Sequence, residues 1–397
     1  MLKPDESLLL DFLRGASAFL VLVAHVQQIL INPTWMPFSL SERNDIFPFV
    51  YSQIGALSVM IFFVLSGFLI TYSIDENLKK NRYKEFNATK YFKSRLRRLF
   101  PPLLFSQGLV LVAFGLLYFF DANNSTFFAT GKELYLARSE LEFNIVDYLG
   151  SFFFLNTIID DVNSPIVNGP LWSVAQEFWF YVIAGLLVLS FYNRNVLVVL
   201  AIVLVFLVSQ GNVFFLYGFG VWLFGCLAAV LHMNKFHERK TVVVMVMCFI
   251  TFFMWGVLVY LNENSFIRGR HKFVFGVAFS FILLLLLNNR YLMRGATRSW
   301  LVKKIAGQAG FSYTLYLIHF PLLLLIWVFT NKYVQGDVLL VSSLASVTVV
   351  LVMWVSAKAS GLIEGYAKRK AQQRYLPPIL LDTFSASENS NGVDAKL

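Results

Sequence analysis

The stretch LLLDFLRGASAFLVLVAHVQQIL, residues 8–30, is an apolar run long enough to cross a membrane as one helix. Pro33 and Pro37 follow it, with no small-residue cleavage site, so it is predicted to stay as the first helix and not to be removed as a signal peptide. Similar runs recur along the whole chain. Of 397 residues, 57% are hydrophobic and 14% are charged, whereas soluble domains are about 25% charged. The sequence therefore predicts one all-α polytopic membrane bundle.

About ten transmembrane helices are predicted from these runs. The runs are 8–30, 54–74, 102–120, 174–191, 196–209, 213–232, 241–261, 273–288, 311–330 and 338–357. The stretch 143–159 is also apolar, but Asn144, Asp147 and Asn156 interrupt it, so it is predicted to be interfacial or re-entrant. The run 196–209 is short. If it does not cross the membrane, the segment 143–159 is expected to cross instead.

Basic residues set the predicted orientation. The segment between the second and third runs is the most basic in the chain, and placing it in the cytosol puts most of the 33 basic residues inside, with both termini cytosolic. This topology accounts for the net charge of +10, and no nucleic-acid-binding pattern is present. Residues 1–375 are predicted to form one transmembrane domain, and 376–397 a disordered cytosolic tail. Cys226 and Cys248 lie in apolar runs and are predicted to pack as small hydrophobic side chains, and no metal site is predicted.

The first run contains three ionisable residues, Asp11, Arg14 and His25, which are costly inside a membrane and usually functional. On a helix, Arg14 and His25 lie within about 20° of one face and roughly 16 Å apart along the axis. Asp11 and Arg14 can pair because they are one turn apart. We predict that His25 accepts a proton from a hydroxyl, with Arg14 and Asp11 in the same catalytic set. The alternatives are a structural Asp11–Arg14 pair and a histidine that only bonds another helix.

Two further segments supply candidate binding residues. In YFKSRLRRLFPPLL, residues 91–104, Arg95 and Arg98 share one helix face and are predicted to bind the phosphates of a cytosolic donor; a topogenic or anionic-lipid patch is the alternative. In FFVLSGFLI, residues 62–70, Ser66 and Gly67 are interpreted as packing positions that let helices approach closely.

The segment NGPLWSVAQEFWFYV, residues 168–182, places Ser173 and Glu177 one turn apart. Together with Trp172 they are predicted to line the acceptor side of a cavity. Trp172, Trp179 and Tyr181 are expected to form an interfacial aromatic belt. The alternative is helix capping by Ser173 with a hydrated Glu177 at the interface.

In AGFSYTLYLIHFPLLLL, residues 309–325, His319 lies just before Pro321. It is predicted to be a second proton-handling or substrate-binding group. The alternative is a histidine that stabilises the kink at the proline.

Five segments, LDFLRG with the Arg14-x10-His25 spacing, FFVLSGFLI, RLRRLFP, GPLWSVAQEFWFYV and SYTLYLIHFPLL, occur in an order that resembles acyltransferase family 3 membrane proteins. That family includes bacterial O-acetyltransferases of lipopolysaccharide O-antigen, exopolysaccharide and Nod factors. The resemblance covers most of the chain. It implies that Arg14 and His25 are essential, that Arg95 and Arg98 match the family's second basic pair, and that the loops choose the acceptor.

The predicted function is therefore a multi-pass O-acyltransferase of the bacterial cytoplasmic (inner) membrane. It would use acyl-CoA from the cytosol, with acetyl-CoA favoured, to acylate a hydroxyl of a cell-surface or lipid-linked glycan, without a tightly bound cofactor. Glycan acceptor and membrane lipids are the expected partners. Transfer would be direct, or would pass through an acyl-enzyme on Ser173 or His25. The rival functions are a transporter or flippase with an Asp11/Arg14/His25 proton relay and a purely structural membrane subunit.

Overall fold

The computed structural model describes residues 2–31, 46–121, 141–156, 158–193, 196–209, 212–260, 270–334 and 337–363. The described residues are mostly helical and include no β-strand. The helices are α1 (Pro4–Val26), α2 (Ile46–Lys80), α3 (Ala88–Asp121), α4 (Ile145–Phe152), α5 (Leu171–Asn193), α6 (Val196–Val208), α7 (Val213–Met233), α8 (Phe236–Arg239), α9 (Thr241–Tyr260), α10 (Arg270–Asn288), α11 (Arg290–Arg298), α12 (Trp300–Gln308), α13 (Ser312–Val334) and α14 (Val338–Ile363). The predicted tail 376–397 lies outside the described residues.

Nine helices within the described ranges are long and apolar enough to cross a membrane: α1, α2, α3, α5, α7, α9, α10, α13 and α14. They confirm the predicted all-α polytopic fold. The remaining predicted run, 196–209, forms α6, which has only 13 residues. At 1.5 Å per residue it is about 20 Å long, less than the roughly 30 Å of a bilayer core. Nine crossings would place the two termini on opposite faces of the membrane, so the cytosolic placement of both termini requires one further crossing segment and stays a prediction.

The segment 143–159 contains only the short helix α4, which has eight residues. Its length of about 12 Å is far too small to cross a bilayer, in agreement with the predicted interfacial or re-entrant segment. The expectation that this segment crosses when the run 196–209 does not is therefore not met. Asn144 caps α4, because its side chain accepts hydrogen bonds from the backbone N–H groups of Val146 and Asp147 at 2.8 and 3.2 Å. After α4 the chain turns back and reaches a 3₁₀ turn, Ile166–Asn168, immediately before α5.

Glycines bring α2 and α7 into backbone contact. A Cβ atom on Gly67 would lie 2.1 Å from the carbonyl oxygen of Trp222, and one on Gly225 would lie 2.2 Å from that of Val64. Small residues at such crossings are typical of membrane helix pairs, in which close packing replaces the hydrophobic driving force. The packing role predicted for Gly67 is therefore confirmed.

The helix that carries Arg14 and His25, α1, lies inside the bundle against α2, α12 and α13. Gly15 permits the contact with α12, since a Cβ there would be 2.3 Å from the carbonyl oxygen of Ile305. Farther along α1, Leu22 and Val26 belong to a buried apolar cluster that includes Leu323 of α13. This packing turns the His25 face of α1 toward α13.

Candidate active site

His25 of α1 and His319 of α13 form a pair in the interior of the bundle. His319 Nε2 lies 3.0 Å from His25 Nδ1, and the ring centres are 5.0 Å apart. His319 is 1% exposed, and Phe320 packs edge-on against the His25 ring at 5.3 Å. Two histidines that are 294 positions apart in the chain are thus brought into direct contact.

The hydrogen bonds of the pair assign its protons. His25 Nδ1 lies 3.0 Å from the carbonyl oxygen of Val21, and His319 Nδ1 lies 3.1 Å from that of Leu315. A carbonyl only accepts, so each Nδ1 carries the hydrogen in the neutral ring. His25 Nδ1–H then donates to two acceptors, the carbonyl oxygen of Val21 and Nε2 of His319. The lone pair of His25 is consequently on Nε2, which has no hydrogen-bond partner among the described residues.

The backbone carbonyl that Pro321 leaves without a helical partner is hydrogen-bonded by residues other than His319. Proline has no N–H, so the carbonyl of Leu317, one turn earlier, loses its helical partner. Ser106 Oγ and Asn168 Nδ2 donate to this carbonyl at 2.8 and 2.9 Å. Both side chains are fully buried. They hold α3 and the 3₁₀ turn against α13, and His319 remains available to His25.

On the α1 side, the α-helix changes to a π-helical turn, Gln27–Ile31, two residues after His25. Single π-helical turns are rare and frequently occur at functional sites.

An open cavity of about 690 Å³, a volume that includes the solvent at its mouth, lies beside the histidine pair. Helices α1, α2, α3, α5 and α13 contribute its lining. Within the described residues its charged lining consists of three cations, Arg14, Arg95 and Arg98, and one anion, Glu177. The excess of positive charge favours an anionic ligand.

Arg14 is anchored from behind by Asp11. Arg14 Nη1 lies 3.2 Å from Asp11 Oδ1, and the Arg14 side chain is 18% exposed. The predicted i, i+3 pair is present. Asp11 does not line the cavity, and its described contacts are with Arg14 and not with His25.

Arg95 and Arg98 both line the cavity, whereas Arg97, between them on α3, does not. Arg95 is half-buried and donates to Ser73 Oγ, and its guanidinium lies 5.6 Å from the ring centres of both Tyr91 and Tyr181. Arg98 is exposed. The two predicted phosphate-binding arginines therefore share one cavity, with Arg98 on its solvent-accessible side.

Glu177 is part of a hydrogen-bonded chain in the cavity wall. Ser66 Oγ donates to Tyr181 Oη at 3.0 Å, and Tyr181 Oη donates to Glu177 Oε1. Tyr181 is 4% exposed, so the prediction that it belongs to an interfacial belt is wrong: one turn after Glu177, it turns inward to bond the carboxylate.

Ser173 is hydrogen-bonded to Tyr316 Oη at 2.6 Å, and its Oγ donates to the carbonyl of Pro170 at 3.2 Å. Its contacts are thus a phenol and a carbonyl, not an imidazole. Trp172, in contrast, packs edge-on against Phe63 at 6.3 Å and does not line the cavity.

The histidine pair lies behind one wall of the cavity. Neither His25 nor His319 lines it, but Tyr316 does, and the Tyr316 ring centre is 5.7 Å from that of His319. Phe62 contacts Tyr316 at this end, and Ser73, which bonds Arg95, lies on the same helix as Phe62. At 1.5 Å per residue, Phe62 and Ser73 are about 16 Å apart along α2. The arginines and the histidine pair therefore occupy opposite ends.

The structure brings five of the predicted site residues into the lining of one cavity, Arg14, Arg95, Arg98, Ser173 and Glu177, and their roles stay predictions. Sequence reasoning missed Ser66, Tyr181 and Tyr316 as site residues. The sequence could have indicated two of them from their helical spacing. Tyr181 follows Glu177 by four positions, and Tyr316 precedes His319 by three. Each therefore shares a helix face with a residue that was predicted.

Comparison with known proteins identifies relatives of the chain. The chain is 27% identical over 208 residues to the O-acetyl transferase of Shigella phage Sf6, covering 51% of this chain and 52% of that protein. It is 26% identical over 313 residues to the O-acetyltransferase OatA of Staphylococcus aureus, covering 72% and 48%. An uncharacterized protein of Haemophilus influenzae is 26% identical over 234 residues, covering 53% and 90%.

The chain spans about half the length of the two named transferases. No solved structure matches it. A family model described as "Acyltransferase domain" matches residues 8–357, nearly the whole of the bundle. The chain therefore belongs to acyltransferase family 3.

Proposed function

We propose that this protein is a membrane-bound O-acyltransferase that moves an acetyl group from cytosolic acetyl-CoA to a hydroxyl of a cell-surface or lipid-linked glycan. One observation carries the proposal. In a chain of an acyltransferase family, an arginine-lined cavity ends against a buried histidine pair whose outer nitrogen has a lone pair. The first feature suits a phosphate-bearing donor, and the second suits deprotonation of a hydroxyl.

Arg95 and Arg98 are proposed to hold the phosphates of the donor. Guanidinium groups bind phosphate through two parallel hydrogen bonds, and the cavity has only one carboxylate among its described lining residues to compete with that ligand. The Arg14 side chain is more buried than that of Arg98 and is held by Asp11. We therefore assign Arg14 to binding the part of the donor that lies deeper in the cavity than its first phosphates. A lipid patch would need these side chains to point outward, which does not suit a shared cavity.

The reaction then needs one base and one leaving group. His25 Nε2 takes the proton from the acceptor hydroxyl as its oxygen attacks the thioester carbonyl carbon. The tetrahedral adduct collapses with loss of the C–S bond, and the proton on His25 passes to the departing CoA thiolate. The acceptor gains an ester, CoA leaves as the thiol, and the imidazole is neutral again. His319 is a positioning residue, because its Nε2 accepts from His25 Nδ1–H and fixes the tautomer.

The acceptor and the acyl group are proposed from the relatives and the topology. Two relatives are named as O-acetyl transferases, which favours acetyl as the group transferred. His25 follows twenty-odd residues of α1, so with a cytosolic N-terminus it lies in the outer half of the membrane and can meet an acceptor from the outer side. This placement suits the cytoplasmic membrane of a bacterium.

The test uses purified full-length protein in lipid nanodiscs with acetyl-CoA labelled in the acetyl group. A glycan extract from cells that lack the protein serves as the acceptor. Label that becomes covalently attached to glycan, and that mild base releases as acetate, would support the proposal. The same protein in liposomes tests the rival: uptake of acetyl-CoA or glycan without covalent change would indicate a transporter and overturn the proposed function.

A further inference from the structure

Two aromatic side chains close the end of the cavity that faces the histidine pair. The rings of Phe62 and Tyr316 meet edge to face, with their centres 6.0 Å apart. Both line the cavity, and Tyr316 also contacts His319. Phe62 packs against both apolar clusters of the bundle, the one around α2, α5 and α7 and the one around α1 and α13. An acyl group that travels from the arginines to His25 must therefore pass this pair.

The two side chains are held differently. Tyr316 is 8% exposed, and its hydroxyl is bonded to Ser173 at 2.6 Å and to the carbonyl of Pro170 at 3.3 Å. These bonds fix its ring across the path. Phe62 is half-buried and is held by ring and apolar packing, since a phenyl side chain makes no hydrogen bond through a polar group. A substitution of Phe62 can therefore change the size of the opening without breaking a hydrogen bond.

The region beyond the pair is closely packed around the two imidazoles. It contains the two histidines and Phe320, whose ring is 5.3 Å from that of His25. Phe320 is 4% exposed and His319 is 1% exposed. Close packing of this kind leaves no room for a long chain. The described contacts of the two imidazoles are with each other, with Phe320 and Tyr316 and with backbone carbonyls, so they include no lysine or arginine to pair with a carboxylate at the end of an acyl group. The cavity arginines Arg95 and Arg98 lie at the opposite end.

We propose that Phe62 and Tyr316 determine which acyl group is transferred, by admitting a short, uncharged acyl group and excluding longer or anionic ones. Phe62 sets the limit on length. This inference rests on the proposed function, and it adds residues that select the donor.

The experiment is a competition between donors. Purified full-length protein in nanodiscs receives acetyl-CoA, butyryl-CoA and succinyl-CoA at equal concentrations with the glycan extract, and mass spectrometry counts each ester on the glycan. The wild-type protein is expected to transfer acetyl almost alone. In Phe62→Ala the ratio of butyryl to acetyl should rise by at least about tenfold, since two methylene groups then fit where the ring was. Succinyl should stay excluded.

Leu69→Ala is the matched control. Leu69 also lines the cavity from α2, but it lies seven positions from Phe62 toward the arginines, about 10 Å along the helix. Its truncation should leave the butyryl-to-acetyl ratio within about twofold of the wild-type ratio. Phe62→Leu, which keeps the position apolar, should give an intermediate ratio.

Three results would overturn the inference. The first is an unchanged donor ratio in a Phe62→Ala protein that still transfers acetyl. The second is loss of every transfer in both Phe62 variants with normal folding, since Phe62 would then be required for the reaction itself. The third is that the wild-type protein transfers no acyl group at all. That result overturns the proposed function and this inference with it.

Discussion

Replacing the cavity arginines singly by glutamine should weaken donor binding, and the replacement of Arg97 should not. Arg95 is half-buried, and a charge-assisted hydrogen bond to phosphate contributes about 1.5–3 kcal/mol, so Arg95→Gln should raise the Kd for acetyl-CoA by roughly 10- to 100-fold. Arg98 is exposed and its contribution is screened by water. A loss of about 1 kcal/mol, or roughly fivefold in Kd, is expected for Arg98→Gln.

The assay is calorimetric titration of each variant in nanodiscs with acetyl-CoA and, separately, with CoA. Arg97→Gln removes the same charge from the same turn of α3 without touching the cavity, so its Kd should stay within about twofold of the wild-type value. The Arg95 variant loses its bond to Ser73 and two cation–π contacts of about 0.5–1 kcal/mol each, which lowers stability without unfolding the bundle. Thermal unfolding of the apo variants checks that.

If Arg97→Gln weakens binding as much as Arg95→Gln does, the cavity is not the donor site. Such a result would mean that net positive charge at the membrane surface, and not the cavity, attracts the donor. An unchanged Kd in both cavity variants would equally remove the arginines from the donor site and leave them as topology signals.

Three other substitutions test the fold and the histidine pair. Gly67→Ala should destabilise the protein by about 1–3 kcal/mol, because its Cβ meets backbone, whereas Gly115→Ala, with nothing within 4 Å, should be neutral in thermal unfolding. Asn168→Ala removes one of the two donors to the Leu317 carbonyl and should cost about 1–3 kcal/mol, measured as a lower unfolding temperature; no shift would contradict the proline explanation. His319→Ala should lower kcat by roughly tenfold with the KM for acetyl-CoA unchanged, and His319→Gln, whose amide oxygen can accept from His25, should recover part of it; equal loss in both variants would contradict the positioning role.

Much of the fold follows from residue patterns that act locally. A hydrophobic run of about twenty residues must become a helix in a bilayer, so α1 and α2 were predictable from composition alone. The Asp11–Arg14 pair was predictable because residues one turn apart meet on any helix. The short length of α6 was visible as well, because Asn195 and Ser209 bound the apolar run, and the structure ends the helix at Val208.

The arrangement of the site depends on contacts between distant parts of the chain. Whether His319 turns to Pro321 or to His25 is decided by Ser106 and Asn168, which satisfy the freed carbonyl from α3 and from the 3₁₀ turn. Nothing in the local sequence of α13 specifies that. Similarly, the aromatic character of Tyr181 predicts a belt position, and only the carboxylate of Glu177 and the hydroxyl of Ser66 explain why it is buried.

The most direct test of the mechanism is acetyl transfer by His25→Gln, measured beside acetyl-CoA binding by the same protein. If His25 Nε2 is the base, transfer to the glycan should fall by at least about 100-fold, while the Kd for acetyl-CoA stays within about threefold of the wild-type value. Transfer within about tenfold of the wild-type rate would show that another group takes the proton and would contradict the central role of the histidine pair.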